Sequence, residues 1–172
     1  HIRRVAECSR LLALYHESLT DEDADILFHA APMHDIGKIT IPHSILHKPG
    51  KLTEDEFAIM KTHTTRAFKI LHNSKRKYTK AAAIIAHQHH EKWDGSGYPQ
   101  GLKGQDIHIY GRIVGLIDVF DALMHKRVYK EAWSLEDTLD YIRKHSSSQF
   151  DPYLVSILLE HIDEFVAISD QN

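Results

Sequence analysis

The chain has 172 residues, of which 42% are apolar and 26% charged, and a formal net charge of -3 with neutral histidines. This length fits one domain with a sizeable core, and no apolar run approaches the ~20 residues a membrane helix needs. No signal-peptide pattern opens the chain, and the slightly acidic balance argues against a basic face for long nucleic acid.

No membrane contact is expected from this segment. The single cysteine, Cys8, can form no internal disulfide, so a reducing cytoplasm is the expected setting. The chain opens at His1 inside a helical pattern and without an initiator methionine. Residues 1–172 are therefore expected to form one domain cut from a longer, multidomain protein.

Helical periodicity dominates. A first helix is expected from about Ile2 to Ser18, with Val5, Leu11, Leu12 and Tyr15 among its apolar positions. Thr20 followed by Asp23 predicts a capping box opening a helix through about Met33, with Gly37 as its C-terminal cap. Pro42, Pro49 and Gly50 mark a connection. Thr53 with Glu56 predicts a second capping box and a helix to about His72, with Phe57, Met60, Ala67 and Leu71 on one side. A further helix covers about Thr79 to His90. From Lys92 to His108 the segment KWDGSGYPQGLKGQDIH breaks the pattern, and a loop this long inside a compact domain is usually functional. A helix from about Ile109 to His125 follows. Ser134 with Asp137 caps another, and Pro152 opens the last. No alternating strand pattern occurs, so the chain reads as all-α with about seven helices.

Histidine is abundant, 15 residues against 21 Lys plus Arg. Such a composition suits either a solvated surface or metal ligation, and position decides between them. His34-Asp35 is an adjacent pair at the end of an apolar helix; alone, it reads as ordinary capping. His63 alone reads as a satisfied core residue. His89 and His90 precede Glu91 and the glycine-rich loop. Adjacent helical residues point about 100° apart, so the two can serve two metals, or one metal and its outer shell. The plain alternative is a pair answering the helix dipole. Asp118 lies in the almost wholly apolar IVGLIDVFDALM, where a buried carboxylate is costly unless paired or metal-bound. Val114, Asp118, Asp121 and His125 share one stripe, and its two carboxylates favour burial and ligation over a water-facing surface.

Together, His34, Asp35, His63, His89, His90 and Asp118 offer six oxygen and nitrogen ligands from four helices. A hydrolase must leave metal positions for water and substrate. Six protein ligands therefore point to two metals bridged by a carboxylate, with Asp35 the first choice. A sphere of imidazole and carboxylate without thiolate suits iron or manganese first, then nickel or zinc.

The segments HDIGK at 34–38, His63, HHEKWDGSGYP at 89–99 and DVFDAL at 118–123, followed by Arg127, Tyr129 and Lys130, closely resemble the HD-GYP family of phosphohydrolases. The resemblance runs from HIRRV at the start to FDP at 150–152. It implies an HD-type helical bundle with a long glycine-rich GYP loop and a bi- or trinuclear metal centre. It implies hydrolysis of cyclic di-GMP to pGpG and onward to GMP, by attack of a metal-bridging hydroxide. The ligands it implies are those six residues, with His1 in HxxRV as a further metal histidine. Some members carry another glutamate ligand upstream of that histidine, which leaves a third metal open. Asp35 and Lys38 are the implied catalytic residues. Lys38, Arg127 and Lys130 match positions that contact substrate phosphate, a role that suits their charge. Gly97, Tyr98 and Pro99 match the signature loop that shapes the guanine-side wall. Asp94 and Asp121 are expected to support structure or the outer shell.

Val128 stands where proline is common, Ile117 where alanine is usual, and His87 is an extra histidine. His87 and the nine other histidines outside the ligand set are assigned to ordinary roles. The competing substrates are 3′,3′-cyclic GMP-AMP and another phosphate ester, against which the intact Gly97-Tyr98-Pro99 argues. From a different class, the domain could be a cyclic dinucleotide sensor or interaction module without turnover. Expected partners are cyclic di-GMP, signalling proteins such as those of the GGDEF type, and a second copy of the chain.

Overall fold

The computed structural model describes residues 1–127 and 130–171. Val128 and Tyr129, both named in the motif comparison above, lie outside the described residues.

Among the described residues there are nine α-helices, three short 3-10 turns and no strand. The all-α expectation holds. The helices are α1 (Ile2–Tyr15), α2 (Asp21–Ala30), α3 (His43–Leu46), α4 (Glu54–Leu71), α5 (Lys77–Gln88), α6 (Ile109–Met124), α7 (Leu135–Lys144), α8 (Pro152–Glu160) and α9 (Ile162–Gln171). The count exceeds seven because a one-turn helix, α3, forms after Pro42, and because the C-terminal segment breaks at His161, whose backbone leaves helical values at φ -113°, ψ 24°. Among the described residues, no helix is long and apolar enough to cross a membrane.

The start signals act as their chemistry requires. Thr20 accepts the amide of Asp23 while the Asp23 carboxylate accepts the amide of Thr20, and Thr53 and Glu56 make the same reciprocal pair. Ser134 caps α7, and Asp151 caps α8 with Pro152 in its first turn. The core gathers Val5 and Leu12 of α1, Leu27 of α2, Ile85 of α5 and Ile113, Ile117 and Phe120 of α6. Leu154, Leu158 and Phe165 close it from α8 and α9. α4 packs on α5 and on the 3-10 turn Ile36–Thr40.

Three local expectations are corrected. α1 stops at Tyr15, because His16 turns to extended backbone. α2 stops at Ala30, and the chain tightens into a 3-10 turn, Ala31–Met33, that contains Pro32. Gly37 caps no helix and has no left-handed φ. It sits in the second 3-10 turn, where a Cβ would fall 1.9 Å from the carbonyl oxygen of His63. Only glycine lets this turn meet α4 backbone to backbone. The buried face of α4 is His63, Thr64 and Ala67, while Phe57 remains 45% exposed.

Candidate metal centre

Five pieces of chain converge: His1 at the start of α1, the HD segment between α2 and α3, the middle of α4, the end of α5 and the middle of α6. Oδ1 of Asp35 lies 3.4 Å from Nε2 of His63 and 3.4 Å from Nε2 of His89, and its Oδ2 lies 3.3 Å from Nε2 of His34. Oδ1 of Asp118 lies 3.5 Å from Nε2 of His34 and 3.3 Å from Nε2 of His1. The side chains form two groups, Asp35–His63–His89–His90 and His1–His34–Asp118, and within each all ligand-capable atoms lie within 4.8 Å of one another.

Five of these atoms, Nε2 of His34, His63 and His89 and Oδ1 of Asp35 and Asp118, are buried without a hydrogen-bond partner. Buried polar atoms are seldom left so, because each forfeits its hydration. Two ligands each about 2.1 Å from one ion, at octahedral to tetrahedral angles, stand roughly 3.0–3.4 Å apart. The 3.3–3.5 Å separations fit that requirement, and the donor set of imidazole and carboxylate is one divalent metals take.

The backbone prepares the imidazoles. Nδ1 of His34 bonds the carbonyl of Ala31 at 2.8 Å, that of His63 the carbonyl of Met60 at 2.7 Å, and that of His89 the carbonyl of Ile85 at 3.0 Å. A carbonyl only accepts, so in each bond Nδ1–H donates and Nε2 faces the centre, the atom that would ligate an ion once it carries no proton. The ring of His90 makes no such bond to the main chain among the described residues; instead Tyr98 stacks on it, at 4.9 Å and 19°. His1 bonds Asp121 through Nδ1 at 2.5 Å, and Asp121, itself buried, accepts Nε–H of Arg4 at 2.6 Å. Asp121 thus joins His1 to Arg4.

The electrostatics separate the two groups. Burial lowers the pKa of His34, but the Asp118 and Asp35 carboxylates outweigh it and raise it to about 10. Asp118 and Asp121 raise His1 to about 9. Burial pushes His90 down to about 2, helped by the neighbouring imidazoles of His89 and His63, and burial also lowers His89. Burial acts to raise Asp35 and Asp118, but the histidines around each hold both carboxylates far below the usual range.

Around the centre, Nζ of Lys38 donates to Oδ2 of Asp35 at 2.9 Å. In the GYP loop a Cβ on Gly97 would fall 2.4 Å from the amide nitrogen of Lys92, so only glycine lets the loop fold onto the end of α5. Tyr98 follows at once, its amide donating to the carbonyl of His90 at 3.2 Å, and the peptide to Pro99 is cis. Burial and the nearby carboxylates of Asp35 and Asp118 push the Tyr98 hydroxyl up to about 12, which keeps its proton in place. Asp94 is exposed and caps the turn at Ser96.

Glu91 was not singled out from the sequence. Its buried carboxylate accepts the amides of Gln100 at 2.7 Å and Leu102 at 3.1 Å, and so ties the loop back beneath the metal histidines. The signal available was an acidic residue directly before a run of backbone donors with no regular structure to satisfy them.

Arg127 and Lys130 stand elsewhere. Both are exposed beyond α6, their backbones bond each other at 2.8 and 3.1 Å, and the Lys130 ammonium lies over Trp133 at 4.6 Å. Among the described residues no hydrogen bond or ion pair joins either to the centre. The ten other histidines fall outside both groups. His87 stacks on Phe68 at 4.3 Å.

Residues 1–154 match the family model described as HD domain. The 3′3′-cGAMP-specific phosphodiesterase 2 of Vibrio cholerae is 51% identical over 169 residues, covering 98% of this chain and 32% of that protein. The cyclic di-GMP phosphodiesterase response regulator RpfG of Xanthomonas campestris pv. campestris is 48% identical over 141 residues, 82% of this chain and 37% of that protein. The chain thus spans about a third of the length of these curated relatives. A solved structure of a cyclic GMP-AMP phosphodiesterase of V. cholerae, V-cGAP3, superposes with a TM-score of 0.71 at 20% identity, over 99% of this chain and 47% of that one, and shows the same fold. The family match takes in every helix that carries a ligand-capable side chain of the two groups, and the chain belongs to the HD domain family, a fold that binds divalent metal.

Proposed function

We propose that the chain is a metal-dependent phosphodiesterase that opens cyclic di-GMP to linear pGpG and onward to GMP. The observation that carries this reading is the set of five orphaned, buried ligand atoms converging beside the GYP loop. The names of the relatives support the substrate class.

Two ions, iron or manganese before nickel or zinc, would account for His1, His34, Asp35, His63, His89, His90 and Asp118 as ligands. Asp35 would hold both ions, since its two oxygens face different groups. When bound, the ions supply Lewis acidity toward the phosphodiester and lower the pKa of water. The chain contributes orientation and charge. The main-chain carbonyls aim Nε2 of His34, His63 and His89 inward. Lys38, tethered to Asp35, sets an ammonium where a nonbridging phosphate oxygen gathers charge during attack. Gly97, Tyr98 and Pro99 form one wall of the substrate site. For Arg127 and Lys130, a role at substrate phosphate rests on the motif resemblance and on their exposed positive charge.

A second reading is 3′,3′-cyclic GMP-AMP as substrate, favoured by the name of the 51%-identical relative. Anaerobic turnover by the domain loaded with Fe(II) or Mn(II), with both dinucleotides tested and Asp35→Ala as the blank, decides. Faster loss of cyclic di-GMP, absent in the blank, supports the first reading. Faster loss of cyclic GMP-AMP selects the second. No turnover of either, with two equivalents of metal bound, sinks both and leaves a sensor.

A further inference from the structure

Beside the metal centre, Tyr98 of the GYP loop meets two residues of α4, Phe57 and Lys61, that neither the ligand set nor the GYP motif accounts for. Phe57, on the first turns of α4, is a large apolar side chain left 45% exposed. Its ring stands edge-on to Tyr98, at 6.1 Å and 85°. Tyr98 in turn stacks on His90, and His90 stands edge-on to His63 at 5.2 Å. A continuous series of rings therefore runs from solvent to the four-residue metal group. The ammonium of Lys61 sits over both outer rings, 5.0 Å from the centre of Phe57 and 5.6 Å from that of Tyr98. Among the described residues, no carboxylate pairs with it. α4 fixes the arrangement, because Phe57 and Lys61 are one helical turn apart, i and i+4, and His63 follows two residues later.

An exposed aromatic gains little from folding, and a cation over aromatic faces needs no carboxylate to be held. With one face of Tyr98 taken by His90, what the corner offers a ligand is the exposed ring of Phe57, the outer side of Tyr98 and the Lys61 ammonium that lies over both. A purine uses the rings and the ammonium. It stacks on aromatic rings, and it presents a Hoogsteen edge that differs between the bases: guanine carries two acceptors, O6 and N7, where adenine carries one acceptor and one donor. An ammonium is only a donor, so it matches guanine and opposes the amino group of adenine.

We propose that Phe57, Lys61 and Tyr98 form a base-recognition corner that takes one purine of the substrate and selects guanine through Lys61. This rests on the cyclic dinucleotide reading above and names residues that set specificity at the same site. Phe57 and Tyr98 supply stacking that any purine accepts, and Lys61 supplies the discrimination.

The test is steady-state turnover of cyclic di-GMP by the metal-loaded domain, with cyclic di-AMP as a competing ligand and metal content measured for every variant. Lys61→Met is expected to raise the KM for cyclic di-GMP about tenfold, as for loss of one charged hydrogen bond, while kcat changes little and the Ki of cyclic di-AMP stays within about threefold. Lys61→Arg is expected to restore the KM. Phe57→Ala is expected to weaken both ligands alike, by about tenfold, through lost stacking. An equal loss for both ligands in Lys61→Met would show a phosphate contact and overturn the guanine assignment. An unchanged KM in Lys61→Met and Phe57→Ala overturns the corner altogether. A drop in metal content with either variant overturns it too, by assigning the residue to the metal group. If the unsubstituted domain turns over neither cyclic di-GMP nor cyclic GMP-AMP, the functional reading itself fails, and the corner falls with it.

Discussion

The two ligand groups of the centre are built differently. Asp35, His63, His89 and His90 come from the HD turn and the body of the bundle, and His63 and His89 are almost wholly buried. Their support is largely main chain, together with the ring of Tyr98. His1, His34 and Asp118 include a residue at the first position of the chain, with a third of its side chain exposed. His1 is held by a side-chain relay through Asp121 to Arg4. The difference teaches that one centre can combine a half fixed by helix geometry with a half that depends on particular side chains.

The largest test breaks the link between the halves. Asp35→Ala removes the carboxylate that faces both, and is expected to cost about 1000-fold or more in kcat and to lower metal content in both groups. Wild-type kcat with unchanged metal content would sink the bridging assignment. Next, His1→Ala is expected to lose close to one equivalent of metal while the second remains, as counted by mass spectrometry of the loaded protein. Loss of both would mean the groups are not separable.

A smaller effect is expected from the relay. Asp121→Asn keeps the shape but weakens the acceptor for His1 and Arg4, and should reduce metal affinity in the three-residue group about 10- to 100-fold, with the other group unaffected. Equal loss from both groups in a competition titration would refute it.

The smallest signal is in protons. Without metal, His1 and His34 have pKa values raised to about 9 and about 10. Both therefore carry a proton at pH 7, and the stability this gives is fully present below about 6.5. It is lost as pH rises through 9 to 10. The thermal midpoint of metal-stripped protein is expected to fall over that range. Calorimetry in buffers of different ionisation enthalpy should show about two protons released at pH 7 on filling the three-residue group. His89 and His90, whose pKa values are lowered, should contribute none. Proton release confined to the other group would reverse this assignment.

Much of this was legible in the sequence, and the part that was not has a physical cause. The pairing of a carboxylate with apolar neighbours marked Asp118, and the coincidence of short motifs marked the histidines, because ligand chemistry restricts residue type. Grouping was not legible. His89 and His90, which could have served separate ions, offer their ligand atoms to one group, while His34 falls in the group opposite its neighbour Asp35. Such sorting depends on how helices cross, which periodicity does not encode. Phe57 read as part of an apolar face and is instead exposed beside Tyr98, because an apolar stripe does not say whether its cover is protein or ligand. Gly37 read as a cap, since a glycine needed for close approach looks the same in sequence as one needed for a left-handed turn.

The carbonyls of Ala31, Met60 and Ile85 lead further. Each fixes the tautomer of a histidine three or four residues later, and none belongs to a side chain. No codon change at those positions can delete the acceptor, short of unwinding the helix or turn that carries it. Substitution of Ala31, Met60 or Ile85 can alter packing yet leaves the imidazole aimed. His34, His63 and His89 are thereby sheltered from point mutation in their outer support, while the relay behind His1 is exposed to it at Asp121 and Arg4. Drift in metal preference among relatives of this chain is expected to enter through that relay.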